Sequence, residues 1–118
     1  MHGGGAPCNV ARGVSRLGVP SRFVSVLGDD EFGDFVLEQL KRDQVDSRFV
    51  RRLKGGRTQL CFVTLDSTGD RHFNGRGPDA SLGLGVQDMT DLVFKDVSSL
   101  IITCGSLRTR QGLSLIHI

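Results

Sequence analysis

The sequence predicts an α/β fold built on an open sheet, and three observations carry that reading. A segment with helical periodicity at residues 9–17 leads into a β-rich run at 22–27, which leads into a second amphipathic helix beginning near residue 31. The connections between them are short, as in folds that alternate helices with a sheet.

Each element has its own signal. Val10, Ala11, Val14 and Leu17 recur on one helical face with Arg12, Ser15 and Arg16 on the other, and Gly18 stands where a helix C-terminal glycine belongs. The spacing predicts a helix starting near Asn9. Arg22-Phe23-Val24-Ser25-Val26-Leu27, bounded by Pro20 and Gly28, reads as a buried strand. In the next helix Asp29 or Asp30 can cap, Glu31 sits in the first turn, and Phe32, Phe35, Val36 and Leu40 share a face. Lys41 and Arg42 lie near its C-terminus, where the helix dipole favours cations.

After Asp43 the pattern turns towards β. Val45 to Leu53 alternates weakly, Lys54-Gly55-Gly56-Arg57 is a turn, and Thr58 to Leu65 is a β-branched and aromatic run predicted as one strand. Asp66-Ser67-Thr68-Gly69 separates it from Asp70-Arg71-His72-Phe73, so the two are expected to pair antiparallel. Asn74 to Gly85, rich in glycine, is expected to leave the sheet as a loop, and Met89 to Phe94 to form a short helix. Leu100-Ile101-Ile102-Thr103-Cys104 reads as an apolar strand. It ends in Gly105-Ser106, at the strand end where ligands gather in open α/β sheets.

Composition excludes several classes of function. With 118 residues, 38% hydrophobic and 24% charged, the chain is soluble material of one domain or less. A net charge of +2, with basic residues interleaved by carboxylates, argues against a nucleic-acid partner or a membrane surface. Cys8, Cys61 and Cys104 are odd in number and form no CxxC pair, so neither a disulfide frame nor a zinc site is indicated and a reducing cytoplasm fits best. No apolar run approaches a membrane span, and the N-terminus has no signal-peptide pattern.

Both ends read as cut. Met1-His2 leads straight into the glycines with no preceding strand, and Leu113-Ser114-Leu115-Ile116-His117-Ile118 resembles the translation of a transposon-end sequencing adapter. Residues 113–118 are therefore read as an adapter-derived tail, with the natural sequence ending near Gly112.

The stretch Gly3-Gly4-Gly5-Ala6-Pro7-Cys8-Asn9-Val10-Ala11 joins a glycine-rich loop to a helix start. Glycines let a ligand approach the backbone closely, and the first-turn N–H groups of a helix lack internal partners. Such a corner suits oxygen-rich ligands. Asn9 offers both a carbonyl and an amide to sugar hydroxyls, or serves simply as an N-cap.

These residues resemble a known family. Gly4-Gly5-Ala6-Pro7-Cys8-Asn9-Val10-Ala11, with Gly18 and Gly28 at their distances, resembles the first signature of the ribokinase (PfkB) family of carbohydrate kinases. Gly28-Asp29-Asp30-Glu31-Phe32-Gly33, Thr58 to Phe73 with Gly69-Asp70-Arg71, and Gly105-Ser106-Leu107 are similar to the same family, particularly fructokinases and 2-keto-3-deoxygluconate kinases. The likeness runs from Gly3 to about Gly112, so residues 1–112 are expected to be the N-terminal part of such a kinase domain.

The resemblance implies a ribokinase-like, doubly wound α/β sheet with a small β-sheet lid, truncated here at both ends. Lid strands are expected within residues 45–76. It also implies transfer of the γ-phosphoryl of ATP, with Mg2+, to a sugar hydroxyl by the full-length parent. In the family the Gly-Gly and the Asn contact the sugar, which here means Gly4, Gly5 and Asn9, and lid closure excludes water from phosphoryl transfer. Sugar-acid and fructose kinases of this type place an arginine after the lid strand, in a stretch like Phe-Asn-Arg-Gly. This chain has Phe73-Asn74-Gly75-Arg76-Gly77, one residue different. Arg76 can pair a carboxylate bidentately, bond a hydroxyl, or stay solvated; Arg71 is a second candidate, or a strand residue paired across the lid. A homodimer through the lid is a further expectation.

Other residues read as structural. Asp29 and Asp30 at a strand-to-helix turn are a cap and its neighbour, and His72 and Cys61 are read as packing residues. Asp70 sits in a hairpin, where no helix N-terminus can stabilise a transferring phosphate. Neither a Walker motif nor GxGxxG spacing is present. The family's catalytic base, anion hole and adenine pocket belong to a C-terminal half absent from this sequence, so no catalytic, nucleotide-binding or metal residue is assigned and the chain alone is expected to lack turnover. The alternative is a kinase-like protein serving as a non-catalytic binding or scaffold module.

Overall fold

A computed structural model describes residues 2–77 and 80–103. The elements run in the order helix α1 (Ala6–Arg16), strand β1 (Ser25–Gly28), helix α2 (Glu31–Arg42), strands β2 (Val50–Leu53), β3 (Cys61–Leu65) and β4 (Arg71–Arg76), two 3-10 turns (Ala80–Gly83 and Val86–Asp88), and a single helical turn α3 (Asp91–Phe94). Gly105-Ser106 and the 113–118 tail lie outside the described residues.

Helix α1 begins earlier than the apolar spacing predicts. Gly5 takes φ 90°, a left-handed backbone suited to glycine, and Pro7 sits in the first turn, where its missing N–H costs nothing. Asn9 is therefore inside the helix rather than its cap, and its N–H donates to the Gly5 carbonyl at 3.0 Å. At the other end Gly18 has φ 82°. Its N–H donates to Ser15 O and that of Val19 to Val14 O, the double closure of a Schellman motif. The inner face also differs: Cys8 and Ala11 are buried, while Leu17 is 84% exposed. With Phe23, Leu40 and Val45, Cys8 and Ala11 form one core cluster, against which Val36, Leu37 and Val50 pack.

The predicted strand at 22–27 is shorter than its composition suggests. Arg22 makes a single parallel bridge to Asp46, and regular pairing begins at Ser25. Strand β1 runs parallel to β2, Ser25 opposite Val50 through Gly28 opposite Leu53, and α2 is the crossover that a parallel pair requires. All four residues of β1 are buried. A second cluster gathers Val26, Ala80 and Leu84, with Val24, Met89 and Ile102 packed against it. Helices therefore meet one core and the 3-10 turns the other, around one parallel pair.

Within the 45–76 stretch only residues 61–76 form the antiparallel hairpin, because β2 joins β1 instead. The long run from Thr58 becomes a strand only at Cys61, and the strand after the turn extends past Phe73 to Arg76. His72 and Cys61 are exposed, not packed: every residue of β3 is exposed, and the His72 Nε2 instead lies 3.0 Å from Asp66 Oδ2. Residues 100–103 are not a strand; Leu100 and Ile101 are more than half exposed and only Ile102 reaches the second cluster. An apolar run becomes a strand only beside a backbone partner, and none of the described strands pairs with this one.

Two arginines brace the distant segments. Arg51 donates to both carboxylate oxygens of Asp88 (2.6 and 3.0 Å) and to Gly83 O (2.9 Å), tying β2 to the 3-10 turns. Arg22 pairs with Asp46 at 3.0 Å, and its Nη1 caps the end of α3 through the carbonyls of Leu92, Val93 and Lys95. Leu40 is fully buried. In urea denaturation Leu40→Ala is expected to cost about 2–5 kcal/mol, while Leu17→Ala at its exposed position stays within about 0.5 kcal/mol.

Candidate functional site

The glycine corner is held from below by Arg12. The sequence puts Arg12 on the outer face of α1, yet its side chain is only 14% exposed and reaches across to the end of α2. Its Nε donates to Asp43, its Nη2 to Gln39 Oε1 at 2.9 Å, and its Nη1 to the Gly3 carbonyl at 3.2 Å. Arg16 donates to both Asp43 oxygens at 2.8 and 3.1 Å. The arginine bonds, Arg16 first and then Arg12, hold the Asp43 carboxyl below its usual range. Arg12 thus links the glycine backbone to two helices through one partly buried fork. An arginine in the helical pattern with an aspartate at the end of the next helix is the sequence signal that this contact leaves.

Above this anchor the corner is open. A Cβ placed on Gly4 or Gly5 meets nothing within 4 Å, and only Gly5 needs a left-handed backbone. The glycine at 4 is therefore explained by neither strain nor packing. Gly5 provides no side-chain cap and α1 has no acidic residue in its first turn, so no side chain competes for the head of the helix. Asn9 is exposed in that turn, beside Cys8, whose thiol burial pushes its pKa up. Cys8 is a packing residue.

A second feature sets where the chain leaves this body. Asp30 caps α2, accepting from Gly33 N–H at 2.8 Å, and the same carboxylate accepts from Thr58 N–H at 2.8 Å and Thr58 Oγ1 at 2.7 Å. Thr58 Oγ1 in turn accepts from Gly28 N–H at 3.0 Å. Desolvation pushes the Asp30 pKa up, but the Thr58 and Gly33 bonds and the Arg52 charge outweigh it and leave it lowered. A Cβ on Gly28 would collide with the backbone of Thr58 and Arg57, and one on Gly33 would come 2.5 Å from Gly28 O. The Gly28-to-Gly33 motif is thus a structural clamp, and the sequence alone does not reveal Thr58 as its other half. Asp29 is the exposed neighbour, 3.6 Å from Arg52 Nη2.

The hairpin carries the remaining candidates. Arg71 is exposed opposite Leu65, and Arg76 takes the position opposite Cys61. Asp66 orders the turn by accepting from Thr68 N–H and Oγ1 and from Asp70 N–H. Asp70 lies in that turn and away from any helix start. Among the described residues no hydrogen bond or ion pair joins Gly4, Gly5 or Asn9 to the hairpin; both depart from the same body, one by Arg12 and the other by Thr58.

The sequence profile described as pfkB family carbohydrate kinase matches residues 1–105. The chain belongs to the pfkB family. It is similar to a fructokinase from Solanum tuberosum, 46% identical over 112 residues, which cover 87% of this chain and 35% of that one. Among solved structures, fructokinase from Xylella fastidiosa superposes with a TM-score of 0.87 at 34% identity, over 96% of this chain and 35% of its own. A protein from E. coli described as a ribokinase II, in complex with ATP and Mg2+, gives 0.82 at 31% identity, over 96% and 36%. The chain spans about a third of the length of these relatives. The ribokinase-like α/β fold expected from its pfkB signature is therefore the fold it has. No helix among the described residues is long and apolar enough to cross a membrane.

The clamp predicts a signed pH effect. With its folded pKa lowered, Asp30 contributes stability that is present above its unfolded pKa, about 4, and is lost as pH falls through the folded value. Asp30→Ala is expected to cost about 1–2 kcal/mol at pH 7 in urea denaturation, with the gap to wild type narrowing below about pH 4.

Proposed function

We propose that this protein is a sugar kinase that transfers the γ-phosphoryl of ATP to a hydroxyl of fructose or of 2-keto-3-deoxygluconate, and that residues of this chain hold the sugar. Gly4 and Gly5 let the sugar approach the backbone, Asn9 bonds its hydroxyls, and the hairpin, carrying Arg71 and Arg76, covers it as a lid. The observation that carries this reading is Gly4: a glycine with open space over it, unstrained, at an uncapped helix start, in a chain that belongs to the pfkB family. Fructokinases among the relatives support the sugar class.

Catalysis in such a reaction is positioning and charge stabilisation. The chain's own part is to fix the acceptor: Arg12 ties Gly3 to both helices, so the corner has little freedom to recoil from a bound polyol. The hairpin excludes water when it closes. ATP and Mg2+, present in the E. coli relative, supply the phosphoryl group and neutralise its charge. Among the described residues no group of three His, Cys, Asp or Glu side chains gathers to hold a metal ion, and no step through the nucleotide is assigned to them. We place the enzyme in the cytoplasm, with a homodimer through the lid, and assign the 118 residues by themselves weak sugar binding and no turnover.

Titration of the chain with fructose, followed by amide NMR, is expected to shift Gly4, Gly5 and Asn9. Gly4→Val fills the open space without straining the backbone, so it should abolish those shifts and leave the melting temperature unchanged. A coupled ATP-consumption assay on the same 118 residues with either sugar should stay at background, and activity above background would refute the assignment of no turnover.

A further inference from the structure

The hairpin contains an irregularity between its Val63–Phe73 and Cys61–Arg76 pairs. Val63 faces Phe73, Thr64 faces His72 and Leu65 faces Arg71 in one unbroken register, but Cys61 faces Arg76, with the register shifted between. Between the Val63–Phe73 and Cys61–Arg76 pairs, β3 contributes Phe62 alone, whereas β4 contributes Asn74 and Gly75. This is a β-bulge, two residues opposite one.

Contacts on either side fix it independently. Towards the turn, Asn74 Nδ2 donates to Thr64 Oγ1 at 2.7 Å, as expected of a diagonal neighbour of the Thr64–His72 pair. Beyond the bulge, the Gly77 N–H donates to Leu60 O at 3.2 Å, which makes Cys61 and Arg76 the adjoining, non-hydrogen-bonded pair. Strand residues alternate between faces, so one additional residue without a bulge would exchange the face of everything after it. With the bulge, position 76 stays in the row of Arg71 and Phe73 and opposite the row of Cys61, Val63 and Leu65.

We infer that Gly75 is a positioning residue: the bulge it forms with Asn74 absorbs the additional residue and holds Arg76 opposite Cys61, the place from which Arg76 contacts the sugar. The inference rests on the sugar-kinase reading for the identity of the ligand, and on the hairpin alone for the position. A one-residue bulge is cheap where glycine supplies it, since glycine adds no side chain to the crowded two-against-one site.

Cysteine pairing in the 118-residue chain tests the position, with Cys104 replaced by serine. Under mild oxidation the thiol of Arg76→Cys should cross-link to Cys61 about tenfold faster than that of Gly75→Cys or Gly77→Cys, because directly opposed residues alone meet disulfide geometry. Fastest cross-linking by Gly75→Cys would mean a regular ladder and overturn the inference. Fructose titration tests the role. A second glycine inserted after Gly75 should weaken binding about as much as Arg76→Gln does, roughly tenfold for one charged hydrogen bond, and a matching insertion after Phe62 should restore it. If binding ignores both the insertion and Arg76→Gln, Gly75 positions no sugar contact and the inference falls. Loss of the Gly4→Val effect would instead remove the sugar corner, which the cross-linking does not touch.

Discussion

One carboxylate governs how this chain is put together. Asp30 closes the first turn of α2 and holds the backbone and hydroxyl of Thr58, which in turn holds the last residue of β1. The α2 start and Thr58 thus meet on two carboxylate oxygens, and Gly28, thirty residues before Thr58, joins them through the Thr58 hydroxyl. Because burial alone favours a protonated carboxyl, the cluster persists through its donors, and losing any one leaves the others to bear a partly buried charge. The glycines on either side are consequences of that crowding: at 28 and 33 there is no room for a Cβ. A motif that reads in sequence as paired acids thereby sets where the chain departs for the hairpin.

Much of the fold was legible in the residues, and the parts that were not have identifiable causes. Helix α2 announced itself through its cap, its apolar spacing and its terminal cations, all local properties, although Phe32 on the expected inner face is exposed and Leu37 packs on the core beside Val36 and Leu40. The hairpin was legible in its turn, where Asp66 and Gly69 do what their chemistry allows. The start of α1 was misplaced because Pro7 and Gly5 act at the helix head, and its inner face because Cys8, a small apolar residue, joins the core cluster with Phe23 and Leu40 while Val10 is exposed. Residues 100–103 have the composition of a strand but, among the described residues, no paired backbone beside them, and composition cannot provide that. Thr58 was counted into a strand because its tie to Asp30 is long-range.

The candidate site divides in the same way. The glycine corner was visible because glycine pairs and a helix start are local, and a Cβ on Gly4 would meet nothing within 4 Å. Its foundation was not: Arg12 looked like a solvated helix residue, and only the approach of α2 brings Asp43 and Gln39 to its guanidinium. Arg71 and Arg76 were legible as basic residues near a turn, whereas the row each occupies depends on a register shift that no propensity encodes.

The hairpin also has a consequence for how the chain behaves when handled. Its two strands pair only with each other among the described strands, and Phe62, Leu65 and Phe73 are each about two-thirds exposed. A short ribbon with unclaimed hydrogen-bonding edges and uncovered aromatics is a template for edge-to-edge association. In concentrated solution, aggregation would therefore start at the ribbon, while the body braced by Asp30, Arg12 and Arg51 stays folded behind it.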